Sequence, residues 1–162
     1  MVDQLLHALQ HSAFADWVQA SAYPAVITAH SIGLAILVGL LVVIDLRVLG
    51  FATGLPLAAL RKLMTVVWLG FWTNAISGVM LFSIDAKKDF YSPLFRIKLS
   101  AIALGLILGT MISSSVLQAD SPVAGTSSRA KVLAVCSLTC WLCAIVTGRL
   151  LAYFTYGDIG LD

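Results

Sequence analysis

The chain has 162 residues, 60% of them hydrophobic and only 11% charged, with a net charge of +2. Soluble domains carry about 25% charged and about 45–50% apolar residues, so this composition excludes one. The small positive balance, gathered near the ends of apolar stretches, also excludes nucleic acid as a partner. Met1–Ala20 has no basic leader and contains Asp3 and Asp16, which argues against a cleavable signal peptide. Leu5, Leu6, Leu9, Phe14, Trp17 and Val18 form a rough helical stripe opposed by Gln4, His7, Gln10 and His11. That pattern predicts a short interfacial helix over about residues 3–20, with Trp17 at headgroup level.

The first membrane span is predicted over 24–48, with Pro24 in its first turn. Within it, Ala25–Ile44 holds no carboxylate, lysine or arginine and is long enough to cross a bilayer core. Gly50, Thr53, Gly54 and Pro56 punctuate the following loop. Arg61 and Lys62 introduce a second span over 63–84, and Asp85, Lys87, Lys88, Asp89, Ser92 and Pro93 form the next connection. A third span covers 94–118, with Arg96 and Lys98 in its first turns. The segment from Asp120 to Ser128 reads as a loop, and Arg129 and Lys131 lead into a fourth span over 132–156 that contains Arg149. The expectation is an all-α integral membrane protein: one transmembrane domain over 1–162, a four-helix bundle whose outer partner is the lipid bilayer.

The first and third connections carry Arg47, Arg61, Lys62, Arg129 and Lys131, against Lys87, Lys88, Arg96 and Lys98 in the second. This balance places both termini outside the cytoplasm. Ala101, Gly105, Gly109 and Ser113 recur every four residues, a small-residue stripe suited to close helix packing. Cys136, Cys140 and Cys143 share one helix face, read as packing, with Cu(I) ligation as the alternative. His7 and His11, at i and i+4, read as solvated surface.

Alternating spans convert sequence position into depth. His30 lies about 10 Å from the start of its span, Lys98 about 6 Å and Arg149 about 10 Å from the same face. An intramembrane ionisable residue is a functional candidate, and no carboxylate in the spans on that side pairs with the two cations. An external anion such as a porphyrin propionate would answer them. In the opposite leaflet, Asp45 is expected to pair with a cation such as Arg61, and Asn74 to bond between helices. No HExxH, P-loop, strand-linked GxGxxG or Ser–His–Asp set is present.

His30, Gly39, Arg47 and the run Phe95-Arg96-Ile97-Lys98-Leu99 resemble the HemJ-type protoporphyrinogen oxidase family of small bacterial membrane proteins. The stretches LRKLMTVVWLGFWTNAISGVMLF and LFRIKLSAIALGL resemble the CopD-type copper-resistance membrane family. The chain also resembles small four-span bacterial proteins with a YPAVITAHSIGLA-like first helix and a GRLLAY-like last one. The first resemblance implies a haem b protein of the bacterial inner membrane, with His30 as metal ligand and Lys98 in the same site. The histidine that follows the arginine in that family is missing here, so the resemblance carries haem binding further than oxidase activity. In this reading Lys98 and Arg149 hold propionates or approach the iron, and Trp72, Phe71 and Tyr153 line the macrocycle. Electron transfer or porphyrin oxidation would then involve a quinone or a redox protein, and bis-histidine ligation would call on His7, His11 or a second copy in a homo-oligomer. A copper transport or delivery protein using His30 is the alternative, and a non-catalytic membrane subunit is the third.

Overall fold

Long apolar runs without internal breakers leave the backbone one way to satisfy its hydrogen bonds in lipid, as helices. The computed structural model describes residues 1–51, 54–118 and 128–157, and the side chains of all of these except 57–61, 115–118 and 154–157. Helices α1 (Val2–Gln10) and α2 (Ala13–Trp17) precede a π-helical turn, Val18–Ala22, that runs directly into α3 (Tyr23–Leu49). Then come α4 (Leu57–Ile84), the short α5 (Ala86–Tyr91), α6 (Pro93–Gln118) and α7 (Ser128–Gly157). Among the described residues there is no strand, and four helical stretches are long and apolar enough to cross a membrane.

Helix α3 stops where the sequence supplies a glycine. Gly50 takes a left-handed φ of +96°, its N–H donates to Arg47 O, and the Phe51 N–H donates to Leu46 O at 3.0 Å. That pair of bonds is a Schellman cap, which favours glycine at the left-handed position. At the other end, α1 lies along α5, where Tyr91 donates to Asp3 Oδ1 at 2.9 Å and the Lys87 N–H donates to Gln10 Oε1 at 3.4 Å. The N-terminal segment is therefore two short helices with a break at His11 and Ser12. The Ser12 hydroxyl accepts from the Ala15 N–H at 3.2 Å, and this cap starts α2.

Helix α3 packs along α4, α6 packs along α7, and α3 meets α7 to join the two pairs. The core is Leu37, Leu41, Ile44 and Val48 of α3 with Val67 of α4, Ile112 of α6, and Ala134 and Trp141 of α7. The α3–α4 seam is the closest approach. A Cβ on Gly33 would stand 2.7 Å from the Asn74 backbone N, and one on Gly70 would stand 2.9 Å from the Leu37 backbone N. The small-residue stripe of α6 is buried as expected. Its Gly105 faces the Trp141 ring, its Gly109 faces Leu41, and Ser113 donates to Met64 Sδ at 3.2 Å. The outside of the bundle is apolar, with Leu69, Trp72, Ile76, Val79, Val132 and Leu142 all exposed, a surface suited to lipid. Cys136 is exposed and Cys140 and Cys143 are half-buried, so this face turns outward instead of filling the core.

Candidate functional site

On α3 the buried positions Val26, Gly33, Leu37, Leu41, Ile44 and Val48 follow a three- and four-residue rhythm. His30 falls into that rhythm, which turns its imidazole toward α4 instead of lipid. Its Nδ1 lies 3.1 Å from the Asn74 carbonyl oxygen and 3.1 Å from Ser77 Oγ. The Asn74 side chain answers in the other direction, its Nδ2 donating to the His30 carbonyl at 2.9 Å. The ring has room because position 78 is glycine: a Cβ there would sit 3.2 Å from His30 Cε1.

These contacts assign the tautomer. Ser77 has one hydroxyl hydrogen, and it is directed to the Thr73 carbonyl at 2.6 Å, so toward His30 the Ser77 oxygen accepts. The Asn74 carbonyl can only accept. Asn74 Nδ2, 3.3 Å from Nδ1, is the one donor among these neighbours, but its nearer partner is the His30 carbonyl at 2.9 Å, so we read Nδ1 as carrying the proton and donating. The Nε2 keeps its lone pair and makes no hydrogen bond among the described residues. An Nδ1–H held by a backbone carbonyl, with Nε2 open, is the arrangement that prepares an imidazole for a metal.

Lys98 is the second expected residue that the fold brings here. It is half-buried, its charge acts on the His30 ring, and its stem crosses α7 at Gly148, where a Cβ would lie 3.4 Å from Lys98 Cε. Phe82 and Phe95 stack beside this end of the bundle at 5.3 Å. The third expected cation is placed elsewhere. Arg149 is exposed, one residue and about 100° round α7 from the Gly148 face. Trp72 is 58% exposed, about 200° round α4 from Asn74, and Tyr153 is 72% exposed on α7. Neither aromatic residue is brought to His30. Phe71, half-buried, is engaged edge-on with Trp68 and Trp72.

The counter-charge of Lys98 comes from a place the span-by-span reading did not consider. Asp89, on α5, acts on Lys98 from the connection between spans. Burial, and then the charge of Asp85, push the Asp89 carboxyl up to about 6, while Lys98 and Lys88 pull it down. A carboxyl raised on folding holds its proton more tightly in the folded chain. Its contribution to stability is complete below about pH 4 and is lost as the pH climbs through about 6. For a partly exposed group the effect is on the order of 1 kcal/mol after solvent screening. Unfolding in mixed detergent micelles across that window should show this fall, and Asp89→Asn should flatten it. An unchanged slope in the variant would assign the dependence to another group.

No protein-family model, curated protein or solved structure matches this chain. The site therefore rests on its own geometry.

Asn74 bonds between helices as expected, and its bond is to His30; the glycines around it carried no expectation. Gly70, Asn74 and Gly78 recur every four residues, a small–polar–small stripe that marks the face of α4 receiving the ring. Gly148 was hidden beside the more conspicuous Arg149. The expected pairing of Asp45 with Arg61 lies outside the described residues, because the Arg61 side chain is not among them. Asp45 itself is buried, at 1% exposure, one turn before the end of α3. Among the described residues no three His, Cys, Asp or Glu side chains form a metal-holding group.

Proposed function

We propose that this is a haem b-binding protein of the bacterial inner membrane, in which His30 Nε2 would hold the iron. The observation that carries the reading is the assigned tautomer: Nδ1–H donated to the Asn74 carbonyl and Ser77 Oγ, and Nε2 open. Haem needs a single protein donor, whereas a copper site draws on several. One prepared imidazole, with no grouped His, Cys or Asp ligands among the described residues, fits the first better than the second. Asn74 and Ser77 orient the ring. Lys98, shared with Asp89, is the cation available to a propionate. When bound, haem supplies one-electron chemistry, and electron exchange with a quinone or a redox protein is the role that follows. Bis-histidine ligation would bring in His30 of a second copy in a homo-oligomer. The termini are placed outside the cytoplasm by the lysine and arginine balance.

The test is the visible spectrum of the detergent-purified protein, oxidised and dithionite-reduced. The expected result is stoichiometric porphyrin with a Soret band that moves on reduction. Protein made in a haem-replete host that carries no porphyrin and takes up none on titration would remove the reading. Stoichiometric copper without porphyrin would support the CopD-like alternative.

A second reading has its own observation. His30 and Asn74 bond each other reciprocally across the α3–α4 seam, ring to carbonyl and amide to carbonyl. The same contacts suit a membrane subunit in which His30 only locks two helices together.

A further inference from the structure

Asp45 lies about 22 Å further along α3 from His30 at 1.5 Å per residue, toward the opposite end of the bundle. It is 1% exposed, and neither carboxyl oxygen has a hydrogen-bond partner among the described residues. Two more buried polar groups share that condition. Ser137 of α7 is 0% exposed with its Oγ unpartnered, and Trp141, one turn further on the same face of α7, is 1% exposed with its Nε1–H unpartnered. Ser137 is the side chain that neighbours Asp45, without closing a hydrogen bond to it. The Nε1 edge of Trp141 stands over Gly105, where a Cβ would approach to 3.2 Å. Buried polar groups are nearly always satisfied, so the adjoining Asp45 and Ser137 ask for a common explanation; Trp141, whose ring meets Gly105 one turn beyond the Gly109–Leu41 contact, lies apart from them.

The charges around Asp45 narrow it. The core that α4, α6 and α7 pack on this part of α3 includes Val67, Ile112, Ala134 and Trp141, none of them charged. Arg47, on the same helix, is turned to the Leu55 carbonyl, to which its Nε donates at 3.1 Å. An ionised carboxylate with no counter-charge among the described residues takes up a proton instead in so dry a place; the Arg61 side chain lies outside them. A metal cation is the wrong occupant, since it would want about six oxygen ligands and Asp45 and Ser137 together carry three. A neutral carboxyl has an O–H to give, and Ser137 can accept or donate.

We infer that Asp45 and Ser137 form a proton-binding site inside the membrane, in which Asp45 is a neutral acid at neutral pH and one water completes the hydrogen bonds of both. Binding is the addition of one proton to one carboxylate, and release returns the ionised form. The site is independent of the haem reading, since it shares no residue with it.

Infrared spectroscopy of the full-length protein in detergent, labelled with 13C-carboxyl aspartate, tests it. Every side-chain carboxyl in the chain is an aspartate, so the label covers all eight. At about pH 7 an ordinary carboxyl is ionised, and so for the most part is Asp89 with its value of about 6. A neutral-carboxyl absorption that persists there, shifts with the label and is lost in Asp45→Asn is the expected result. The amide of that variant has the shape of the neutral acid, so its unfolding midpoint should stay close to that of the parent. Should Asp45→Asn not fold, Asp45→Glu keeps an acid in place, and its neutral absorption should no longer respond to the aspartate label. Three outcomes overturn the inference. They are no neutral carboxyl at that pH, which means an ionised Asp45 paired with a cation; a neutral band that either variant leaves unchanged; and a band abolished when sodium chloride replaces choline chloride, which means a metal cation in the proton's place.

Discussion

Gly33→Val is expected to cost the bundle about 3 kcal/mol or more, at the upper end of what overpacking does in a well-filled core. The reason is what the new side chain meets. Its Cβ alone would come within 2.7 Å of the Asn74 N and 3.0 Å of the Gly70 carbonyl oxygen, both backbone atoms of α4. A flexible side chain can swing aside, but a helix backbone cannot, so α3 and α4 must separate along their length. In lipid that separation forfeits packing, the main force that holds helices together there. It also carries His30 away from Asn74 and Ser77. Gly39→Ala is the matched control on the same helix. Gly39 is exposed and a Cβ there meets nothing within 4 Å, so the change should be neutral or should gain up to about 1 kcal/mol of helix propensity. Both are read from the detergent-denaturant midpoint of the helical circular dichroism. Equal midpoints for the two variants would mean that the α3–α4 seam is not as close as described.

If His30 holds haem as proposed, His30→Ala is expected to abolish that binding while leaving the helices in place. Losing an outer partner of a metal ligand costs about 10–100-fold in affinity, and losing the ligand itself exceeds that. The structural loss is far smaller. The ring's bonds to the Asn74 carbonyl and Ser77 disappear, and interhelical hydrogen bonds in membranes are worth about 0.6 kcal/mol each on average. The Asn74 Nδ2 keeps its bond to the backbone carbonyl at position 30, which does not need the imidazole. Porphyrin content and unfolding midpoint, measured on one preparation, separate the two readings of the site. Haem lost with about 1 kcal/mol of stability supports the ligand. A variant with unchanged porphyrin, or one whose bundle falls apart, would make His30 a structural lock.

Much of the fold was legible because the signals were long. Four stretches nearly free of charge, separated by charged or glycine-rich connections, leave few alternatives to four spanning helices. Depth was legible too, since rise per residue turns sequence position into height. Rotation about the helix axis was not. Lys98 and Arg149 sit at comparable depths by that count, yet Lys98 is half-buried with its stem against Gly148 while Arg149 is exposed, because neighbouring residues differ by about 100°. A long helix whose whole surface is apolar carries little azimuthal information, which is why Trp72 and Tyr153 also fell on outer faces. Asp89 was missed because the connection was read as a loop. It is helical at Ala86–Tyr91, and this brings its carboxylate close enough to act on Lys98. The break at His11 and Ser12 was readable from the Ser12 cap. The π-helical turn that follows had no sequence signal that we can name.

The pairing of α3 with α4 has a consequence for how the protein is made. Every hydrogen-bond partner found for the His30 ring lies on α4, the very next span. During synthesis the imidazole is thus aimed and its tautomer set once the first hairpin has left the ribosome, before Lys98 or any part of α7 exists. A ligand arriving early would meet a histidine already prepared for it, and the later hairpin would close over an occupied ring.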